Sequence, residues 1–194
     1  MSMRLAKGFT LIESIIAIVI MGFAMVTLTS FLYPQIERSA ASQYQTRSVT
    51  LGQSMISQIL ARGFDENSDL DGGMTRCGEP ADGSNDCTVD ENLGADTGET
   101  DPEGFNDVDD YIGCWKGTNA IDCAGVTPEY DLSDVLGGDV SDQYKNFIVT
   151  VDVNYVDPDL YTDTSTITSM KKVTLSIQAG KWASHSFVGY RGNY

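Results

Sequence analysis

The N-terminal part of the chain contains a long apolar run. Residues 9–33 are almost all hydrophobic, and Glu13 is the only charged residue among them. At about 1.5 Å per residue this run would form a helix of about 37 Å. A hydrocarbon core of about 30 Å is shorter than that, so the run predicts a transmembrane helix.

After Pro34 the pattern becomes amphipathic. Apolar residues recur at steps of four or seven and form one stripe: Ile36, Ala40, Tyr44, Leu51, Met55 and Ile59. This spacing is typical of a helix that packs one face on a globular domain. Gly63 is a good stop signal, so we predict one long helix over residues 10–62, interrupted or kinked at Pro34.

The last third of the chain alternates between apolar and polar residues. Residues 147–155 and 172–178 show this period of two, which predicts half-buried antiparallel strands. Residues 182–190 are a candidate third strand. A sheet of these strands would cover the apolar stripe of the long helix, which makes the predicted fold class α+β.

Residues 64–138 are rich in Gly, Asp, Asn, Glu and Thr, and hydrophobic periodicity fades there. Loops of this length are usually held by crosslinks or have a function of their own. All four cysteines lie in this part, and an even number favours disulfides in an oxidising compartment. Pairing within the short segments Cys77–Cys87 and Cys114–Cys123 is the simplest arrangement, although four cysteines allow three pairings. No C-x-x-C pair is present, which disfavours zinc.

The chain carries 28 acidic and 12 basic residues, a formal charge of −16. This balance argues against nucleic-acid binding, which needs clustered Lys and Arg. The excess of acidic residues is more compatible with binding of a divalent cation, and calcium is the possible cofactor. Oxygen side chains at alternate positions, Asp65, Asn67, Asp69 and Asp71, resemble the start of an EF-hand loop. Gly78 stands where a bidentate glutamate would close the site, so a solvated acidic turn is the alternative.

A short basic segment precedes the apolar run. Arg4 and Lys7 place the N-terminus in the cytoplasm by the positive-inside rule, and the rest of the chain outside. The apolar run is too long for a cleaved secretory signal, whose apolar region has about 7–15 residues. Glu13 is an intramembrane charge, which costs roughly 2–3 kcal/mol or more and therefore indicates a functional role with a partner.

The sequence Gly-Phe-Thr-Leu-Ile-Glu-Ser at residues 8–14 resembles the class III signal of type IV pilins and type II secretion pseudopilins. The resemblance implies that a prepilin peptidase cuts between Gly8 and Phe9 and methylates Phe9. It also implies that Glu13 meets the N-terminal ammonium of a neighbouring subunit. Pairing these charges would set the axial register, since a slip would leave both unpaired.

The resemblance implies the type IV pilin fold, in which a long N-terminal helix packs on an antiparallel sheet with a loop-rich, disulfide-bearing insert. It divides the chain into a leader (1–8), a transmembrane and filament-core helix (9–34), an amphipathic half (35–63) and a globular head (64–194). The implied partners are other pilins, prepilin peptidase and an inner-membrane assembly platform. The implied location is the inner membrane, with the head in the periplasm, and then a surface pilus.

Within this family, residues 60–69 and 105–114 resemble minor pilins of the mannose-sensitive haemagglutinin (MSHA) type. This resemblance implies a low-abundance subunit concerned with filament initiation, assembly and attachment. A type II secretion pseudopilin and a calcium-dependent adhesin head are the alternatives. An enzyme is not expected, because no nucleophile motif or base constellation appears.

Replacing Gly8 with Trp is expected to leave uncut protein in the inner membrane, because the implied peptidase site accepts a small residue before the cut. The measurement is the size and N-terminal sequence of the membrane-extracted chain. Gly8→Ala is the matched control and is expected to slow cleavage without abolishing it. Normal cleavage of Gly8→Trp would contradict the leader assignment.

Overall fold

The computed structural model describes residues 10–69, 75–79, 85–134, 137–182 and 184–194. The elements in chain order are a helix, two single 3₁₀ turns and five strands. They are α1 (Leu11–Leu60), the first 3₁₀ turn (Asp90–Asn92), the second 3₁₀ turn (Asp109–Tyr111), β1 (Gly113–Lys116), β2 (Glu129–Asp131), β3 (Phe147–Tyr155), β4 (Met170–Ala179) and β5 (His185–Gly192).

Helix α1 matches the predicted long helix to within two residues at each end. Thr10 precedes it, and the Thr10 hydroxyl accepts a hydrogen bond from the Glu13 N–H at 3.4 Å. The helix continues through Pro34. The interruption expected at Pro34 therefore does not divide α1 into two helices. Hydroxyls in the apolar run are satisfied locally, since Thr27 and Thr29 donate to backbone carbonyls one turn earlier. This lets polar residues occupy an apolar helix.

The chain forms two compact units, one up to Gln43 and one from Tyr44 to Tyr194. In the first unit the large apolar side chains of α1 are exposed, from Leu11 to Ile36. Helix α1 is long and apolar enough to cross a membrane by length and composition. An apolar surface of this kind needs lipid or protein around it.

The second unit contains the five-stranded sheet, in the order β2-β1-β3-β4-β5. Strands β1 and β2 pair in parallel, and the other neighbours pair antiparallel. Strand β3 lies where the alternating pattern predicts it, β4 extends the predicted strand in both directions, and β5 shifts the third candidate to His185–Gly192. Strands β1 and β2 were not predicted, because three- and four-residue strands inside loop-rich sequence show no usable period.

The core of the second unit lies between the end of α1 and one face of the sheet. Inward-facing residues of β3 and β4 alternate with outward-facing ones, as a half-buried sheet requires. They form one cluster with the buried residues of α1: Leu51, Met55, Ile59, Val149, Val151, Val153, Val173, Leu175 and Ile177. Helix and sheet therefore join through apolar burial, the largest favourable contribution to folding.

Gly52 lies where α1 packs tightly against β5. A Cβ atom added at Gly52 would lie 2.2 Å from Cε2 of Phe187. A helix-interior glycine costs about 1 kcal/mol relative to alanine in helix propensity. The absence of a side chain here is therefore explained by packing, since it lets the helix and the strand approach each other.

Gly52→Ala is expected to lower the free energy of unfolding by about 1–3 kcal/mol, because the added methyl displaces the Phe187 ring. The measurement is thermal or denaturant unfolding followed by circular dichroism. Gln53→Ala, an exposed neighbour on the same helix, is the control and is expected to change stability little. An unchanged or higher stability for Gly52→Ala would contradict the close packing.

Candidate functional site

The assembly segment at the N-terminus is described only in part. Gly8 and Phe9, the predicted cleavage and methylation residues, lie outside the described residues. Glu13 lies in the first turn of α1 and is exposed. A carboxylate at this position is favoured by the helix dipole, which places partial positive charge at the N-terminus.

The four cysteines form two disulfides, Cys77–Cys87 and Cys114–Cys123. These are the local pairings that the sequence favours. The first disulfide is buried in a small second core against Phe64 and Tyr155. The Asn193 side-chain amide donates to the Cys77 carbonyl at 3.1 Å, so this disulfide connects the insert to the C-terminus.

A fully buried lysine occupies the beginning of β4. Lys171 has no exposed surface, and its Nζ donates to three oxygens. These are the Phe64 carbonyl at 2.8 Å, Asp65 Oδ2 at 3.0 Å and Asp109 Oδ1 at 2.6 Å. The rings of Phe64 and Tyr155 flank the ammonium, with centroids 4.7 and 5.3 Å from Nζ. Every ammonium hydrogen has an acceptor, which a buried cation requires.

Asp65, which the sequence analysis proposed as a calcium ligand, accepts a hydrogen bond from Lys171 in the structure. Its Oδ1 accepts from the Asn67 backbone and side-chain nitrogens at 3.1 and 3.3 Å. Its Oδ2 accepts from the Thr88 N–H at 2.9 Å as well as from Lys171. Both oxygens of Asp65 are thus engaged by protein donors.

Of the other candidate calcium ligands, Asn67 and Asp69 lie within the described residues. Asn67 donates to Asp65 and accepts from Asn85, Asp69 is exposed, and Asp71 lies outside the described residues. Calcium binding by this loop stays a prediction.

Three buried aspartates lie in or just before the second 3₁₀ turn: Asp107, Asp109 and Asp110. Burial, together with the charge of Asp109, raises the pKa of Asp107 to about 9. Burial also raises the pKa of Asp110 to about 7, although two backbone N–H donors oppose it. For Lys171, burial lowers the pKa, but Asp109 and Asp65 outweigh burial and hold it above the ordinary value. At neutral pH this cluster therefore holds an ammonium and a protonated Asp107.

A second group of carboxylates lies near this cluster. Asp96, Glu99 and Asp110 place one oxygen each within 4.8 Å of one another. Burial and the neighbouring acids Glu66 and Glu99 raise the pKa of Asp96. Asp65 also lies near the sulfurs of Cys77 and Cys87, but those sulfurs are bonded to each other and are not thiolate ligands.

Sequence reasoning missed Lys171 and its partners. Strand β4 was predicted from residue 172, and the inward-facing positions of the strand are Lys171, Val173, Leu175 and Ile177. Extending the alternation back by one residue places Lys171 on the buried face, so the sequence pattern alone could have predicted a buried lysine. Its partners come from 106 and 62 residues away, so sequence spacing did not identify them.

Residues 3–29 match the family model described as the prokaryotic N-terminal methylation motif. Neither a curated protein nor a solved structure matches the chain significantly. The motif, the long apolar helix and the α+β head with two disulfides support a protein of the type IV pilin and pseudopilin class. Such proteins are processed by prepilin peptidase in a membrane, assemble with other pilins and are structural rather than enzymatic.

Asp107→Asn is expected to flatten the pH dependence of stability. Asp107 binds its proton more tightly in the folded than in the unfolded chain, so stability falls as pH rises from about 4 to about 9. Asparagine retains an oxygen for the Asp109 N–H, which Asp107 Oδ1 accepts at 2.9 Å, and does not titrate.

The measurement is the melting temperature of the detergent-solubilised chain across this pH range. Asp159→Asn, at an exposed position, is the control and is expected to keep the wild-type slope. An Asp107→Asn slope equal to that of the wild type would show that Asp107 does not titrate in this range.

Proposed function

We propose that this protein is a minor pilin of a type IV pilus of the MSHA type, acting in filament initiation, assembly and surface attachment. The observation that carries the proposal is the methylation motif at residues 3–29, at the start of an apolar helix whose large side chains are exposed. A helix of this kind suits the membrane before assembly and a bundle of subunit helices afterwards.

The proposed pathway begins with insertion of the prepilin, with its N-terminus in the cytoplasm and its head in the periplasm. Prepilin peptidase removes residues 1–8 and methylates Phe9. Residues 9–34 then form the filament core, residues 35–63 carry the head, and residues 64–194 form the head. Partners are other pilins and the inner-membrane assembly platform.

Glu13 is the proposed register residue. Its carboxylate lies in an apolar helix and carries a charge that needs a partner when lipid is exchanged for protein. The new ammonium of Phe9 on a neighbouring subunit has the same need. Joining them offsets two desolvation costs, and a shift of one turn would leave both charges unpaired.

The MSHA assignment rests on residues 60–69 and 105–114, and the fold brings these two stretches together. The Gly63 N–H donates to the Asn106 carbonyl at 3.0 Å, and Gly63 and Asp107 form an isolated parallel bridge. Both stretches also supply partners of Lys171, which are Asp65 and Asp109. The two stretches that resemble MSHA minor pilins are therefore in contact with each other in the head.

A type II secretion pseudopilin shares the same motif and fold class and is the main alternative. Deletion separates the two functions: loss of extended pili supports the minor pilin, and loss of exoprotein secretion supports the pseudopilin. For a calcium-dependent adhesin head, calorimetry of the protein with calcium is the test. Absence of heat and of any shift in melting temperature would count against it.

Glu13→Ala is expected to be cleaved normally but to enter pili at least about tenfold less, because it leaves the Phe9 ammonium of a neighbour unpaired. Breaking a buried charge pair costs about 3–5 kcal/mol, and tenfold corresponds to about 1.4 kcal/mol. The measurement is the ratio of the protein in sheared pili to that in membranes.

Ser14→Ala is the matched control, since it changes the adjacent residue without removing a charge. It is expected to enter pili at the wild-type level. Wild-type incorporation of Glu13→Ala would defeat the register role.

A further inference from the structure

We propose that Lys171 and Asp109 are joined by a covalent side-chain amide, an isopeptide crosslink that forms within the folded head. The proposal rests on the arrangement of an amine, an acceptor carboxyl and two flanking carboxyls, all buried in the head. It concerns a modification of the head and is independent of the proposed function in the pilus.

The reacting groups are held in contact. Lys171 Nζ lies 2.6 Å from Asp109 Oδ1, and the two side chains are 0% and 2% exposed. The fold holds both ends, because Lys171 is fixed in β4 and Asp109 begins the second 3₁₀ turn. Oriented intramolecular groups of this kind reach effective concentrations of about 10⁵–10⁸ M, which compensates for the low reactivity of a carboxyl group towards an amine.

The surroundings favour the amide over the ion pair. The Phe64 and Tyr155 rings flank the amine, and both are buried. A charged pair is costly in such a place because its hydration is lost. Amide formation removes one positive and one negative charge, so the cost of burying the pair is relieved.

The flanking carboxyls fill the two proton-transfer roles. Asp65 Oδ2, 3.0 Å from Nζ, is placed to accept a proton from the ammonium and leave a neutral amine. Asp107, whose Oδ1 accepts the Asp109 N–H at 2.9 Å, lies next to Asp109 and is placed to give a proton to its carboxyl group. The Gly94 N–H lies 3.3 Å from Asp109 Oδ2 and is placed to stabilise the oxyanion of the tetrahedral intermediate.

The step balances without another reactant. The Nζ–Cγ bond forms, one C–O bond of Asp109 breaks, and the oxygen leaves as water. That water carries the two protons that the ammonium loses. Asp65 and Asp107 exchange protons during the reaction and return to their starting states, so no oxidant, reductant or activating group is needed.

Asp109, rather than Asp65, is the acceptor. Four donor groups besides Lys171 and Tyr155 engage the Asp65 oxygens, from the backbone and side chains of Asn67 and Thr88. These donors fix the Asp65 carboxylate beside the Lys171 amine. Asp109 instead has a neighbouring acid, Asp107, which is the arrangement that activates a carboxyl for attack.

The decisive experiment is peptide mapping of the full-length wild-type chain, extracted from membranes, reduced, denatured and digested with trypsin. An amide at Lys171 blocks cleavage after that residue. The digest is then expected to contain residues 77–116 joined to residues 146–172, with the summed mass less one water. Separate peptides 77–116 and 146–171 at full mass, with no joined species, would overturn the proposal.

Variants of the two adjacent lysines locate the bond. Lys171→Met is expected to abolish the joined species, whereas Lys172→Met, the next residue on the same strand, is expected to retain it. Asp107→Asn is expected to slow its appearance in freshly made protein. A joined species that persists in Lys171→Met would show that the linkage lies elsewhere and would overturn the assignment.

Discussion

The buried contacts of the Lys171 side chain are the interaction on which the arrangement of the head depends. Lys171 is contacted by Asp65, which follows α1, and by Asp109, in the second 3₁₀ turn, and it belongs to β4. The helix end, the insert and the sheet thus meet at one side chain. Removing the Lys171 side chain would leave the buried Asp65 and Asp109 without this partner, and breaking a buried pair costs about 3–5 kcal/mol. These contacts and the two disulfides hold the described part of the loop-rich insert.

The two units of the chain follow different physical rules. The head buries the apolar stripe of α1 on the sheet, so its stability comes from burial. The helix up to Gln43 has its large apolar side chains exposed, and such a surface needs lipid or protein around it. This division suits a subunit that is anchored in a membrane, then moves into a filament while its head keeps its own fold.

Local patterns predicted the regular elements well. The period of two located β3 at residues 147–155, and the apolar run with its amphipathic continuation located α1, because both signals repeat along one element. The short strands β1 and β2 were not predicted, since β1 is positioned by pairing with β3 and β2 by pairing with β1 rather than by a pattern of their own. The cysteine pairing was predicted by proximity. The Lys171 cluster was not, since its members are far apart in the sequence and Asp65 looked like part of an acidic cation loop.

Intact mass spectrometry of the protein in sheared pili would show whether the chain is a processed, methylated filament subunit. We expect a chain that begins at Phe9, carries one added methyl group, contains two disulfides and, with the Lys171–Asp109 amide, has lost one water. A chain in the pilus fraction that retains residues 1–8, or a protein present in membranes but missing from pili of an assembling cell, would contradict this assignment.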